Sequence, residues 1–357
     1  MKHSHKISIT ALLVSSVLSV SAFAEDALQA QSSVDNISDL SSTADTPNNL
    51  YDFIDNEKLK GVAYAGAELG GSALFGDQTD GNGDDASFEH WDMFKVGADF
   101  TYLVNDQLSL LLGGEARYAW SGFDTKLEPQ NYVDRFQFGF KTVAGTTTYG
   151  KQCGIADVYL GFGDISKEFG LGAEADEVAC TDEQFNHHYI NDNFDIGVAY
   201  EHVNDAWAVG GSFTVGPVVV GGTYVDIGKS GNFADQVTNK DLGETVYTVG
   251  AVLVLDKFNV AAKYASSEMD AMSSKTYETD GYALGVAYQA TMNLSLAATY
   301  NAEEYNDTAE SVLGYDSDDW FTVGASYRIN EHFEFVTDYK VASEADDKLF
   351  LRVNVSI

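Results

Sequence analysis

Proline, cysteine and basic residues are all scarce in this sequence. Its 357 residues include 3 prolines, 2 cysteines and 20 lysines and arginines, against 55 aspartates and glutamates, for a formal net charge of −35. A chain this acidic excludes a basic nucleic-acid-binding surface. The cysteines and histidines lack the spacing of a zinc site, and no Gly-x-Ser-x-Gly motif occurs. We therefore predict neither an enzyme nor a cofactor.

Long apolar runs are missing as well, except at the N-terminus. Lys2 and Lys6 precede an apolar run from Ile7 to Val20, and Ser21-Ala22-Phe23-Ala24 follows as a small-x-small cleavage site. This pattern predicts a secretory signal peptide over residues 1–24, because the run is too short to cross a bilayer. Removing the two lysines takes the formal charge from −35 to −37. No later run is long and apolar enough to predict a transmembrane helix.

Aromatic residues and glycine are abundant instead. The chain has 20 tyrosines, 21 phenylalanines and 33 glycines, and apolar and polar residues alternate over many short segments. This repeated alternation is typical of a transmembrane antiparallel β-barrel. The alternative, a large soluble β-protein, does not explain why so many segments end in aromatic residues. We predict an all-β fold, with residues 25–57 as an acidic N-terminal arm and residues 58–357 as the barrel.

The alternating segments predict about 16 strands, an even number as in single-chain bacterial barrels. Short connections such as Asn105-Asp106 and Gly216-Pro217 alternate with long ones such as Gly228 to Gly243 and Ala302 to Asp318. Short periplasmic turns opposite long external loops are typical of outer-membrane barrels. A barrel of this size is wide enough to enclose an aqueous channel.

The longest segment without alternation lies between Thr146 and Tyr189. It contains Asp164 and Glu168 and is bracketed by Cys153 and Cys180. Long irregular segments inside compact domains are usually functional. We predict that this segment is a third loop that folds into the barrel and narrows it. The even cysteine count and an oxidising compartment further predict a disulfide between Cys153 and Cys180.

Alternation also sets the direction of the basic side chains on the first strands. Lys95 and Arg117 stand between apolar neighbours that would face lipid, and Arg135 alternates with the apolar Phe136, Phe138 and Phe140, so we expect all three to point into the lumen. Asp99 and Glu115 share this inner face. The three basic residues are therefore predicted both to line the pore wall and to form structural ion pairs.

Two motifs carry a resemblance to a known family. They are Tyr149-Gly150-Lys151-Gln152-Cys153-Gly154 and Leu160-Gly161-Phe162-Gly163-Asp164-Ile165-Ser166-Lys167-Glu168-Phe169-Gly170. Over residues 58–357 the chain resembles the general diffusion porins of Gram-negative outer membranes, in which a Tyr-Gly-Arg segment leads into an inward third loop with a Pro-Glu-Phe-Gly-Gly motif. Lys167 and Leu171 replace the proline and the second glycine of that motif.

The resemblance implies a pore constriction with Asp164 and Glu168 on the loop. Lys95 and Arg135 match two family arginines on the opposite wall, whereas the family's first-strand basic position falls at Gly66. Because this basic ladder is incomplete, we expect the acids to give a preference for cations. The resemblance also implies a homotrimer in contact with outer-membrane lipid and lipopolysaccharide, with the loop Ser121 to Asn131 latched onto a neighbour.

Together these features predict an outer-membrane channel for passive diffusion of ions and small hydrophilic solutes. One alternative is a substrate-specific channel, for instance for oligosaccharides, in which Tyr64, Trp91 and Trp320 would form an aromatic track. A structural or adhesive barrel would instead need a plugged lumen. A barrel hydrolase would need convergent histidines and carboxylates.

Overall fold

The structure of the chain is a computed structural model. It describes residues 51–75, 87–123, 128–153, 159–171, 180–191, 193–202, 205–226, 244–270, 276–308, 310, 317–344 and 347–356. The predicted signal peptide and the arm up to residue 50 lie outside these ranges. Within them, no helix combines the length and the hydropathy needed to cross a membrane.

The described ranges contain seventeen strands joined in one antiparallel sheet. They are β1 (Tyr51–Asp55), β2 (Leu59–Phe75), β3 (Phe88–Asn105), β4 (Leu108–Phe123), β5 (Glu128–Thr142), β6 (Gly145–Cys153), β7 (Cys180–Ile190), β8 (Phe194–Glu201), β9 (Ala206–Val215), β10 (Val218–Asp226), β11 (Glu244–Val254), β12 (Phe258–Asp270), β13 (Thr276–Thr291), β14 (Leu294–Tyr305), β15 (Ser317–Asn330), β16 (Phe333–Ala342) and β17 (Asp347–Ser356).

Strands β2 to β17 form a closed barrel. Each pairs with its neighbour in sequence, and β17 returns to pair with β2 from Asp347 opposite Phe75 to Ser356 opposite Gly66. Closure gives every strand a partner on both sides, which a membrane requires because lipid cannot hydrogen-bond a free strand edge. The prediction of an all-β barrel with about 16 strands is confirmed.

Strand β1 fills the remaining length of the β2 edge. Tyr51 pairs with Ala63 and Asp55 with Lys60, on the side of β2 that β17 occupies farther along. The two terminal strands therefore share one position in the barrel. This strand lies within the stretch predicted as an acidic arm, because five residues are too few to produce a recognisable alternation.

The two faces of the strands differ as the alternation predicted. On β3, Phe94 and Val96 are 47% and 49% exposed on the outside, whereas Lys95 and Asp99 are 4% and 1% exposed on the inside. On β5, Phe136 and Phe138 are exposed while Arg135 is buried. The outer face is therefore apolar, and the charged residues of these strands lie on the inner wall.

One end of the barrel is built from short turns fixed by side chains. The carboxamide oxygens of Asn105, Asn191 and Asn330 each accept a backbone N–H from two residues farther on, at 2.9, 2.9 and 2.8 Å. Such turns reverse the chain within few residues. The strands joined by longer connections, such as β6 with β7 and β10 with β11, have their connected ends at the opposite end. The predicted alternation of short and long connections is confirmed.

Residues 154–179, between β6 and β7, form the third connection at the long end, and we call them loop L3. Alternation is absent from the sequence up to Tyr189, but β7 begins at Cys180. A register shift between Gly150 and Gln152 interrupts the two-residue period while the backbone ladder continues. Alternation therefore overestimated the length of the loop. The structure describes residues 159–171 of L3.

The predicted latching loop Ser121 to Asn131 is shortened in the same way. Strands β4 and β5 remain paired up to Ser121 and Glu128, so the connection is reduced to residues 124–127. The ladder is made by backbone groups, so it extends through a polar sequence that lacks alternation. Residues 124–127 lie outside the described residues, and latching stays a prediction.

The β6–β7 register supports the predicted disulfide, because Cys153 and Cys180 are directly opposite each other. We expect protein extracted without reductant to contain no titratable thiol after denaturation. The disulfide lowers the entropy of the unfolded chain, and for a loop of this length it should raise the free energy of unfolding by about 3 to 4 kcal/mol. Cys153→Ser is the matched variant and should expose one thiol, from Cys180. Two free thiols in the native protein would contradict the prediction.

Candidate pore constriction

The described part of loop L3, residues 159–171, lies inside the barrel, against the wall formed by the later strands. Leu171, Tyr159 and Leu160 are 1%, 2% and 3% exposed. Leu171 packs in a cluster with Ala265, Ala283 and Trp320. These contacts join the loop to β12, β13 and β15, so the predicted inward fold of the third loop is confirmed.

Glycine residues leave space on the wall beneath L3. A Cβ atom built at Gly210 would lie 2.5 Å from Tyr159, one at Gly281 2.6 Å from Leu171, and one at Gly324 2.7 Å from Lys167. A larger residue at any of these positions would force the contacting loop side chain to shift. We call these positions, together with Gly250 and Gly285 under Phe162 and Ile165, the glycine groove.

The backbone of L3 is held by polar side chains of the wall. Three donors reach loop carbonyl oxygens: Lys263 Nζ to Leu171 at 2.6 Å, Trp320 Nε1 to Phe169 at 2.7 Å and Thr248 Oγ1 to Tyr159 at 3.3 Å. Buried backbone carbonyls need such partners, because an unpaired one is costly away from water. The loop is thereby fixed at several points along its length.

The strongest anchor is Asp338 on β16, which is fully buried. Its Oδ2 accepts the backbone N–H groups of Lys167, Glu168 and Phe169 at 3.3, 2.9 and 3.1 Å. A carboxylate forms stronger hydrogen bonds than a neutral acceptor. The backbone position of Glu168 is therefore fixed by a side chain that lies 170 residues farther along the sequence.

A second anchor holds the beginning of the described loop segment. The Tyr159 hydroxyl lies 3.2 Å from His188 Nε2, and the same nitrogen contacts Asp195 on β8. His187, the preceding residue, instead hydrogen-bonds Thr147. The two adjacent histidines therefore face opposite ways, and His188 anchors L3. The sequence alone does not indicate this role, because it depends on where the loop lies.

The two loop acids have different surroundings. Asp164 Oδ1 accepts the N–H of Ser166 at 2.9 Å, and its carboxylate lies against Gly170. Glu168 is 33% exposed, and its Oε2 lies 3.8 Å from Arg352. Burial raises the pKa of Glu168 to about 7, while Arg352 lowers it and Asp338 raises it further.

The basic residues predicted for the pore wall lie on the inner face but are paired there. Arg135 donates two hydrogen bonds to Asp99, at 2.7 and 2.9 Å, and a third to Tyr64 at 2.8 Å. Tyr64 donates to Glu115, which also accepts from Arg117 at 2.9 Å. This network lies on β2 to β5, and its guanidinium charges are balanced by neighbouring carboxylates.

A separate chain of charges reaches from the wall to the loop. Lys95 lies 3.9 Å from Glu68, Glu68 lies 3.5 Å from Arg352, and Arg352 lies 3.8 Å from Glu168. Arg352, on β17, was absent from the predicted site. The alternation of Leu351, Val353 and Val355 on the outer face would have placed it in the lumen.

The charged groups at the constriction are balanced in number. The basic residues of the two networks are Lys95, Arg117, Arg135 and Arg352, and the acidic ones are Glu68, Asp99, Glu115 and Glu168. Near the loop, Lys167 and Lys263 add two basic groups, and Asp164 and Asp338 add two acidic ones. No lysine or arginine in the described part of the chain forms an ion pair with Asp164.

Comparison with solved structures identifies the architecture. OmpT of Vibrio cholerae, in its trimer form, matches with a TM-score of 0.65 at 18% identity, over 84% of this chain and 100% of that one. OmpF of Salmonella typhi, in complex with daunomycin, matches with a TM-score of 0.66 at 17% identity, over 85% and 99%. The chain has a porin-type fold. An anion-selective porin from Comamonas acidovorans shares this fold, with a TM-score of 0.61 at 11% identity, over 84% of this chain and 100% of that one.

Sequence comparison adds a partial match to this porin-type barrel. The model of the family "Phosphate-selective porin O and P" matches residues 210–339, which extend from β9 to β16. No curated protein matches the chain at a significant level.

The Asp338 anchor gives a testable prediction for this porin-type barrel. Asp338→Ala removes the acceptor of three N–H groups, and each hydrogen bond to a charged group contributes about 1.5 to 3 kcal/mol. Loss of one such contribution already raises the population of released loop by about tenfold. We expect larger fluctuations of single-channel current in planar bilayers.

Asp318→Ala is the matched control for Asp338→Ala. Asp318 is also buried, but it pairs with Lys340 and accepts from Ser343 rather than from the loop. This variant should retain the native current noise. Equal noise in Asp338→Ala and native protein would contradict the anchoring role.

Proposed function

We propose that the chain is an outer-membrane porin, a water-filled channel for passive diffusion of ions and small hydrophilic solutes. The observation that carries the proposal is L3, a loop with two carboxylates that is fixed inside a closed 16-stranded barrel at several points of its wall. A barrel of this size leaves an aqueous lumen, and an anchored inward loop narrows it without requiring a plug. Comparison with porins of known structure supports the fold but leaves the solute open.

The first experiment is conductance in a planar bilayer together with the swelling of protein-loaded vesicles in sugars of increasing size. A diffusion pore should conduct in proportion to salt concentration and exclude sugars above a size limit. Absence of conductance from folded, heat-modifiable protein would contradict the channel proposal and favour a plugged structural barrel.

We further propose that the channel prefers cations. The support is the pairing of Lys95, Arg117 and Arg135 with wall carboxylates, which leaves the charge of Asp164 without a basic counterpart among the described residues. The formal net charge of −35 also attracts cations to the mouths of the channel. A unit charge about 6 Å from a permeating ion contributes roughly 0.7 kcal/mol in bulk water, or about threefold in occupancy.

The zero-current potential across a salt gradient measures this preference. We expect cation preference in the native pore and a lower preference in Asp164→Asn with Glu168→Gln, because two negative charges are removed. Asp106→Asn with Asp256→Asn removes two exposed acids from short turns and should have a smaller effect. The preference should weaken as salt rises from 0.1 to 1 M, because the screening length falls from about 10 to 3 Å.

The same measurement has a pH dependence with a definite sign. The pKa of Glu168 is raised to about 7, so this side chain is mostly charged at pH 8 and mostly neutral at pH 6. Cation preference should therefore be lower at pH 6 than at pH 8. Glu168→Gln should remove much of this difference. A native pore that prefers chloride, or a potential that the double variant leaves unchanged, would contradict the assignment of the loop acids.

A second candidate function is an anion or phosphate channel, favoured by the family match over residues 210–339. Within that range, the ammonium group of Lys263 donates a hydrogen bond to the Leu171 carbonyl, and Asp318 and Asp338 are buried acids of the inner wall. These contacts do not supply a free row of basic groups. Phosphate block of the chloride current, or a zero-current potential of the opposite sign, would favour this second function.

An oligosaccharide-specific channel finds less support in the aromatic residues. Tyr64 is 5% exposed and accepts a hydrogen bond from Arg135. Trp320 donates a hydrogen bond to the Phe169 carbonyl of the loop, and the ammonium group of Lys340 lies over its ring. Arg352 covers Trp91. These rings are thus in contact with protein groups rather than arranged as a bare track. Saturable conductance blocked by sugars would reverse this ranking.

We also propose that the barrel assembles as a homotrimer. The outer face of β2 carries Ala63, Ala65 and Ala67, which are small enough for close protein contact and cover acyl chains poorly. The similar structure of OmpT from Vibrio cholerae is described as a trimer form. Native mass measurement in a gentle detergent should give three copies, and monomers alone would contradict the proposal.

A further inference from the structure

The side chain of Arg352 joins the barrel wall to the loop acids. Its Nη1 lies 3.5 Å from Glu68 and 3.8 Å from Glu168. Its guanidinium carbon lies 5.6 Å from the ring centre of Trp91 and 5.3 Å from that of Phe350. Aromatic faces attract a guanidinium without neutralising its charge. The side chain is 19% exposed, so its charge lies at the border between wall and lumen.

We propose that Arg352 is the basic residue that sets how strongly the channel prefers cations. The inference rests on the proposed channel function and names the specificity-determining residue of its constriction. Asp164 and Glu168 are the acids in the described part of L3, and Arg352 is the basic side chain there within ion-pair distance of one of them. Arg135 and Arg117 were predicted to line the pore wall, but they form ion pairs with Asp99 and Glu115 in the network on β2 to β5.

The geometry separates this electrostatic role from a structural one. The contacts of Arg352 with both carboxylates exceed 3.4 Å, and its Nε has no hydrogen-bond partner among the described residues. L3 is held near this point by Asp338 and Trp320 instead. Removing the guanidinium therefore leaves the main anchors of the loop in place and changes mainly the charge.

The direction of the effect follows from the neighbouring acids. In native protein, Arg352 offsets the charge of Glu168 and shares Glu68 with Lys95. Without it, Glu168 acts on permeating ions without its nearest counter-charge. One unit charge at about 6 Å changes ion occupancy by roughly threefold in water. Arg352→Gln should therefore raise the cation-to-anion permeability ratio by about threefold.

The test compares zero-current potentials at low salt for native protein, Arg352→Gln and Arg352→Lys, at pH 8. Arg352→Lys retains the charge but loses the guanidinium plane, so it should keep a permeability ratio close to native. Lys340→Gln is the matched control. Lys340 also faces an acid, Asp318, and an aromatic ring, Trp320, but it forms no ion pair with Asp164 or Glu168 in the described residues. It should shift the ratio by less than Arg352→Gln.

A double variant distinguishes a change of charge from a change of structure. Arg352→Gln with Glu168→Gln removes one charge of each sign and should return the ratio toward the native value. A ratio that stays unchanged in Arg352→Gln would overturn the inference, as would an equal shift in Arg352→Lys or in Lys340→Gln. If Arg352→Gln does not fold, the test moves to the Glu168→Gln background. The double variant should then have a higher cation-to-anion ratio than Glu168→Gln alone, and an equal ratio overturns the inference. A native protein without conductance would instead overturn the proposed function itself.

Discussion

The fit of loop L3 against the inner wall is the interaction on which the site depends. A loop that enters a barrel must exchange its water contacts for protein partners, since unpaired backbone groups are costly. The wall supplies Asp338 for the loop N–H groups and Lys263 and Trp320 for its carbonyls. The glycine groove supplies the space. Together they convert a flexible connection into a fixed surface on which acids hold defined positions.

Charge pairing on the opposite wall has a different consequence. Arg135 and Arg117 are bound to Asp99 and Glu115, so they stiffen the early strands while contributing little net field. A pore wall can therefore be rich in charged groups and still have weak selectivity. The ion selectivity is then set by the few charged groups near the loop. The long contacts of Arg352 leave its charge only partly offset there.

The sequence predicted the fold more completely than the site. Alternation placed Lys95 and Arg135 inside and Phe94 and Phe136 outside, because the side-chain period of a strand follows from backbone geometry alone. It misjudged the start of β7, where a register shift breaks that period. It named Asp99 and Glu115 as partners on the inner face, where Arg135 and Arg117 pair with them. It gave no partners from distant parts of the chain. Pairs such as Arg352 with Glu168 join residues 184 positions apart in sequence, and only the closed barrel brings them together.

Closure itself constrains how the molecule can form. The last strand pairs with β2, joining residues 66 and 356, and β1 completes the same edge. Contacts between such distant residues form slowly, because the chain must first lose the entropy of a very long loop. L3 contacts strands as late as β15, β16 and β17. We therefore expect loop docking and ring closure to be linked, because both need strands from the end of the chain.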